Sequence, residues 1–278
     1  LWWILIQRDW CLYQGNLDYL KEQKSYLCDL LQLIMTRIGE DGLEKFNDDE
    51  GRFLDWPSCE NPLAINAGVQ ALVIQAMKAG YELCSVLGED MLATKCEAVR
   101  RKMVNAAPKI IKPFLKSGMA PDAPGQKQAA SLLALTGLIS NKEANQKYLS
   151  VNGGHGFSTF YGYYMLQAMA AAGNYQGAID VIRQYWGAMI DLGATTFWED
   201  FNLDWLPDAS RIDELVATGK KDIHRDYGDH CYKGFRHSLC HGWSSGPTSW
   251  LSEHVLGVQV VEPGCRVVRI TPHLGDLE

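Results

Sequence analysis

Apolar side chains recur at helical spacing from Leu1 to Leu192, and Gly, Asn or Pro interrupts them at intervals of roughly 15 to 25 residues. That rhythm dictates helix, short turn, helix. Trp2, Trp3, Ile6, Trp10 and Tyr13 trace one helical face, Gly15 and Asn16 make a turn, and Leu20, Leu27, Leu30, Leu31, Ile34 and Ile38 give a second stripe that Gly39 ends. Asn61 and Pro62 open a long helix whose buried stripe is Ile65, Val69, Leu72, Val73, Ala76 and Met77, with Gly80 as an interruption. A charged partner helix at 91–106 follows. Pro108 and Pro113 then read as a connection, because proline does not continue a helix interior. A small-residue helix at 128–138 leads to a turn at Asn141, and 160–172 and 175–189 form a further hairpin across Gly173 and Asn174.

The hairpins share no fixed period, so a regular solenoid fits poorly and an all-α toroid of unequal hairpins fits better. One end of such a barrel carries short turns and the other carries long functional loops. After residue 257 the pattern changes. Val258, Val260 and Val261, then Val267, Val268 and Ile270, bracket Pro263 and Gly264 and read as strands. The expected division is therefore a helical barrel over 1–257, followed by a linker and the first strands of a β-domain over 258–278.

With 278 residues and 47% apolar side chains, the chain can bury one large core without disulfides or metals. Its 26 basic residues against 33 acidic ones leave a net charge of -7, which argues against a nucleic-acid partner. No apolar run approaches the ~20 residues of a membrane-spanning helix. The eight cysteines form no CxxC pair, so a zinc or thioredoxin-like reading fails on spacing, and reduced, structural thiols are expected. Neither an initiator Met nor a signal-type segment opens the chain, which reads as a piece of a longer protein, its localisation open.

Residues 194–249 carry few periodic apolar positions but many Trp, Asp, His and Gly, and such a stretch is where chemistry is expected. The segment 193–199, GATTFWE, puts Glu199 beside Trp198 just after a helix. A glycosidase needs a carboxylate to activate water or attack the anomeric carbon, and indole faces to stack on the sugar. Taken alone, the pattern equally suits a tryptophan that staples the loop and a solvated glutamate. Asp200, Asp204 and Asp208 read as solvated or turn-capping acids.

Asp55 and Trp56 form a second pair, in which the carboxylate could accept sugar hydroxyls while the indole stacks, or could instead satisfy loop amides. His241, between Cys240 and a Gly-Trp243 turn, could bond a hydroxyl or orient a carboxylate, although a lone histidine is more often a satisfied core residue. His155, within a Gly-rich stretch, could enter the same mouth. His224, Asp226, Asp229 and His230 lie close in sequence but among Lys and Arg, so a solvated loop suits them better than a metal site. The chain has no nucleophile elbow, HExxH, P-loop or dinucleotide fingerprint.

These residues resemble the catalytic domain of family 78 glycoside hydrolases, the bacterial α-L-rhamnosidases with a six-hairpin (α/α)6 barrel. Residues 193–199 are similar to the family's GATTxWE, whose glutamate is the general base of an inverting hydrolysis. Ser238 to His241 resembles its S-L-N-H with a sugar-contacting histidine, although Cys240 stands where Asn is usual. Asp55-Trp56, the aromatic helix from Trp2-Trp3 to Gly15, and the tail from Glu262 to Pro272 extend the likeness along nearly the whole chain.

The family's acid-bearing segment, D-x-P-x-R-[DE]-[RE], has no counterpart here, and the barrel is expected to be incomplete on its N-terminal side. The spacing of 42 positions from Glu199 to His241 suggests an insertion around 205–235. The resemblance implies hydrolysis of a terminal α-L-rhamnoside, with Glu199 as base and Trp56, Trp198, Trp243 and Trp3 as stacking walls. Asp55 and His241 would hold ring hydroxyls, and no metal or cofactor is implied. The partner would be a rhamnose-containing glycan or glycoside, and the chain alone would be inactive or nearly so for want of an acid. Another six-hairpin glycosidase, a non-catalytic carbohydrate binder and a protein-binding helical scaffold are the competing readings.

Overall fold

A computed structural model describes residues 1–47, 52–220, 222–223 and 237–277. It is helical apart from one hairpin at the end. α1 is Trp2–Gln14, α2 Leu17–Glu22, α3 Lys24–Thr36, α4 Pro62–Val86, α5 Asp90–Ala106 and α6 Pro108–Leu115. α7 is Gln126–Leu135, α8 Asn141–Ala144, α9 Gly162–Ala171, α10 Tyr175–Asp191 and α11 Gly246–Trp250. The strands β1, Val258–Glu262, and β2, Val267–Ile270, pair antiparallel with a register shift between Val260 and Glu262.

α4 is the centre of the packing. Asn61 caps it by accepting the Ala64 amide at 3.1 Å, and Pro62 takes a first-turn position where no N–H is needed. It is buried on most of its circumference, unlike a surface helix with one apolar stripe. Gly80, read from sequence as an interruption, is a contact: a Cβ there would lie 2.5 Å from Leu31 and 3.2 Å from the Cys96 sulfur, so α3 and α5 need its absence. α1 packs on α4, α4 on α7, α7 on α9 and α9 on α11, while α3, α5, α8 and α10 each lie against members of that row.

The structure corrects the sequence reading of α1. Its buried residues are Ile4, Gln7 and Cys11, whereas Ile6, Trp10 and Tyr13 are exposed. The close approach to α4 takes the slimmer side of the helix, and the aromatic row is turned sideways, with Trp10 against Tyr19 and Trp3 against Tyr26. Other boundaries move for local reasons. The second stripe is broken at Gln23 into α2 and α3, and Asn16 caps α2 by accepting the Asp18 and Tyr19 amides. Pro113 sits inside the short helix α6, and Asn141 begins α8 after a Ser140 cap.

α1 ends at Gly15 in a left-handed conformation (φ 62°), its added Cβ only 2.7 Å from the Gly264 backbone, which seats the β1–β2 turn against the helix end. The seven described cysteines are free, and Cys231 lies outside the described residues. Among the described residues no helix is long and apolar enough to cross a membrane.

A buried lysine organises the loop that follows α8. Lys127, fully enclosed in α7, donates to the carbonyls of Val151 at 2.8 Å and Gly153 at 2.7 Å, with its ammonium 5.0 Å from the Phe157 ring centre. Burial lowers its pKa to about 8. A lysine whose folded pKa lies below its unfolded value weakens folding while both states are protonated, and that handicap fades as pH rises. Relative to Lys127→Met, the wild-type chain should therefore gain stability between pH 8 and 10.5, as read by denaturant melts at each pH. A flat difference would place the ammonium in water.

Candidate active site

Two segments far apart in sequence meet beside α9. The Glu199 amide donates to the Ser238 carbonyl at 2.8 Å, the His241 amide donates to the Phe197 carbonyl at 2.8 Å, and the Thr196 hydroxyl donates to the Leu239 carbonyl. The pairing brings the GATTFWE and SLCH segments side by side.

Glu199 itself is half-buried, and its Oε2 accepts the Ser238 amide at 2.8 Å. Oε1 has no hydrogen bond to the described residues. Its backbone carbonyl accepts the Thr159 hydroxyl at 2.5 Å and the Trp243 indole N–H at 2.7 Å. Among the described residues one oxygen is thus anchored and the other is not, a disposition open to a general base.

Trp243 is fixed by its N–H and offers a ring. That ring lies 4.6 Å from His241 and 5.7 Å from Phe160, and Phe160 in turn meets Trp2 at 5.1 Å. His241 accepts the Trp243 amide at Nδ1, 3.3 Å, which puts the neutral ring's proton on Nε2 and makes that nitrogen a donor.

Asp55 stands on the other side of the same loop. Ser158 donates its hydroxyl to Asp55 Oδ2, while the next residue, Thr159, holds the Glu199 carbonyl. Gln128 also reaches Oδ2 at 3.4 Å, and the Trp56 amide donates to Oδ1 at 3.0 Å. Ser58 closes the turn by accepting the Asp55 amide at 3.0 Å and donating to its carbonyl at 2.7 Å. With 5% of its surface exposed, Asp55 spends its oxygens on protein groups. Trp56, 45% exposed and edge-on to Phe53 at 5.0 Å, is the side chain this turn presents.

Burial raises the Asp55 pKa to about 6, with Asp200 adding to the rise against the hydrogen bonds from Ser158 and Gln128. A carboxyl whose folded pKa exceeds its unfolded value favours folding at low pH, and this contribution is lost as pH rises through about 4 to 6. Wild type should therefore lose roughly 2 to 3 kcal/mol relative to Asp55→Asn across that window. Urea melts of both proteins at pH 4 and pH 7 read the difference; parallel curves would mean an ordinary carboxylate.

Two of the expected walls make protein contacts. Trp198 has no exposed surface and packs against Phe201 and His237, so it supports the loop from within. Trp3 stacks edge-on with Tyr26 at 4.7 Å, toward α3, and its neighbour Trp2 faces Phe160, Tyr161 and Tyr164. His155 pairs with Asp204 at 2.9 Å at an exposed position. Sequence reasoning passed over Trp2, Ser158, Thr159, Phe160 and Gln128. The Gly-rich stretch before Ser158 was the available signal.

An apolar cleft of about 470 Å³, lined by Trp186, Met189, Phe197, Cys240 and His241 among others, lies beside the site. Another of about 390 Å³ includes Trp2, Arg52 and Phe53. No three His, Cys, Asp or Glu side chains among the described residues could hold a metal ion. The 48–51 acidic loop and His224, Asp226, Asp229 and His230 lie outside the described residues.

No family model and no curated protein matches the sequence. Chains of known structure do match the fold. One of them, the GH78 family rhamnosidase of Bacillus sp. GL1, has a TM-score of 0.70 at 21% identity over 99% of this chain and 28% of that one. The chain thus spans little more than a quarter of the solved protein it matches, and its fold is that of one segment of a GH78 family rhamnosidase.

Proposed function

We propose that the chain is the helical, base-bearing part of an inverting glycoside hydrolase that cleaves terminal α-L-rhamnosides. The observation that carries this reading is Glu199: one carboxylate oxygen anchored on the Ser238 amide, the other open, beside an aromatic shelf from His241 through Trp243 and Phe160 to Trp2. Glu199 takes a proton from the attacking water. Trp243, Trp56 and Trp2 offer ring faces to the sugar, and His241 donates from Nε2 to a hydroxyl. Asp55 acts as a positioning residue, setting the turn that projects Trp56. Trp198 and Trp3 are packing residues in this account.

The helices α1, α4, α7, α9 and α11 are the inner members of an (α/α)6 toroid, with the sugar cleft at their N-terminal ends. The β1–β2 hairpin begins a C-terminal β-domain. An inverting pair needs its second carboxyl ~6.5 to 9.5 Å from the first. In this reading that acid comes from a segment outside 1–278. The test is a panel of nitrophenyl glycosides offered to the full-length enzyme. Turnover of the α-L-rhamnoside alone is expected, and turnover of a glucoside in its place would overturn the substrate.

A further inference from the structure

A third cleft, of about 690 Å³, opens near the other end of the same helices. Tyr13, Tyr163, Tyr164, Gln167, Glu253 and His254 line it. Trp2 marks the Glu199 end of α1 and Tyr13 the far end, a separation of about 16 Å at the helical rise. The cleft plays no part in the proposed hydrolysis.

Its centre is Glu253. The carboxylate accepts the Tyr163 hydroxyl at 3.0 Å and the Tyr13 hydroxyl at 3.4 Å, together with the Gln167 amide, and its side chain is 19% exposed. All three donors are neutral; burial raises both tyrosine pKa values, Tyr13 to about 12. Among the described residues, the cations that line the cleft pair elsewhere. Arg8 holds Glu82 at 2.8 Å and Asp9 at 3.3 Å, and Lys78 faces Glu82 at 4.0 Å. His254 Nε2 stands 3.9 Å from Glu253, but it is hydrogen-bonded to Gln167 at 2.8 Å, and burial lowers its pKa below 6.5. Burial thus works against a charge on its ring.

A carboxylate withdrawn from water, fixed by hydrogen bonds and lacking a counter-charge, is costly unless a cation joins it. The tyrosine rings around it suit a cation with an organic body, since π faces attract ammonium groups. The volume lies within the range of small-molecule sites. We propose that this cleft binds an organic ammonium ligand, an amino sugar or an alkyl amine, with Glu253 as counter-ion and Tyr13, Tyr163 and Tyr164 as its walls.

Calorimetric titration at pH 7.5 with hexylammonium and glucosamine, each beside its neutral counterpart, hexanol and glucose, tests this. At least one ammonium probe should bind while its neutral counterpart does not. Glu253→Gln, which keeps the hydrogen-bond acceptor and removes the charge, should weaken binding at least tenfold. Gln259→Lys, on the β1 wall of the cleft, would supply an internal ammonium and should weaken it similarly, which keeps the test open should the first variant not fold. Absence of ammonium binding, equal binding of a neutral counterpart, or unchanged affinity in a folded variant would overturn the proposal.

Discussion

Glu199→Gln in the intact enzyme should lower kcat on an α-L-rhamnoside by about 10²- to 10⁴-fold, the usual contribution of a positioned acid or base. Glutamine keeps an oxygen to accept the Ser238 amide, and Thr159 and Trp243 bind the backbone carbonyl, which the substitution does not touch. The 193–199 and 238–241 pairing should survive, so the melting temperature should stay within a few degrees while turnover collapses. KM should change little, because the lost group acts on water and the shelf that holds the sugar remains. Undiminished turnover would favour a carbohydrate binder or a different base.

The largest expected stability effect is at Trp198. A fully buried indole packed on Phe201 and His237 should cost about 3 to 5 kcal/mol when cut to alanine, the range for large aromatic truncations in a core. Trp56→Ala removes a half-exposed ring and should cost far less, while weakening sugar binding more than Trp198→Phe does. Chemical denaturation and ligand titration on the same variants separate the two roles. A small loss of stability with a large loss of affinity at Trp198 would restore it as a wall.

The sequence made the hairpins legible because helix punctuation is local: Gly15, Asn16, Asn61, Pro62, Gly173 and Asn174 all act on their own turn. It also singled out both halves of the site, 193–199 and 238–241, since each concentrates a carboxylate or imidazole with aromatics. Their pairing across some forty intervening residues is tertiary and left no local trace.

The orientation of single rings is not legible in the sequence. Trp2 and Trp3 are about 100° apart around α1, so only the packing partner decides which one faces Phe160. Phe197 and Glu199 are tied by backbone hydrogen bonds to His241 and Ser238, and Trp198 between them is buried, an arrangement set by a segment some forty residues away. Asp55 stays open in the sequence because a carboxylate beside a tryptophan looks the same whether it meets a sugar or its own turn. Ser158 and Gln128, both remote in sequence, hold its Oδ2 in the folded chain. Lys127, whose partners are backbone carbonyls, had no signature at all.

The proposed role of Glu199 as the base that prepares the nucleophile is tested most directly by chemical rescue. Glu199→Ala in the intact enzyme, given a nitrophenyl α-L-rhamnoside and sodium azide, should regain nitrophenol release and yield the β-configured rhamnosyl azide, because azide enters the space left by the carboxylate and needs no base. Failure of azide to restore release, or an α-configured product, would contradict the account.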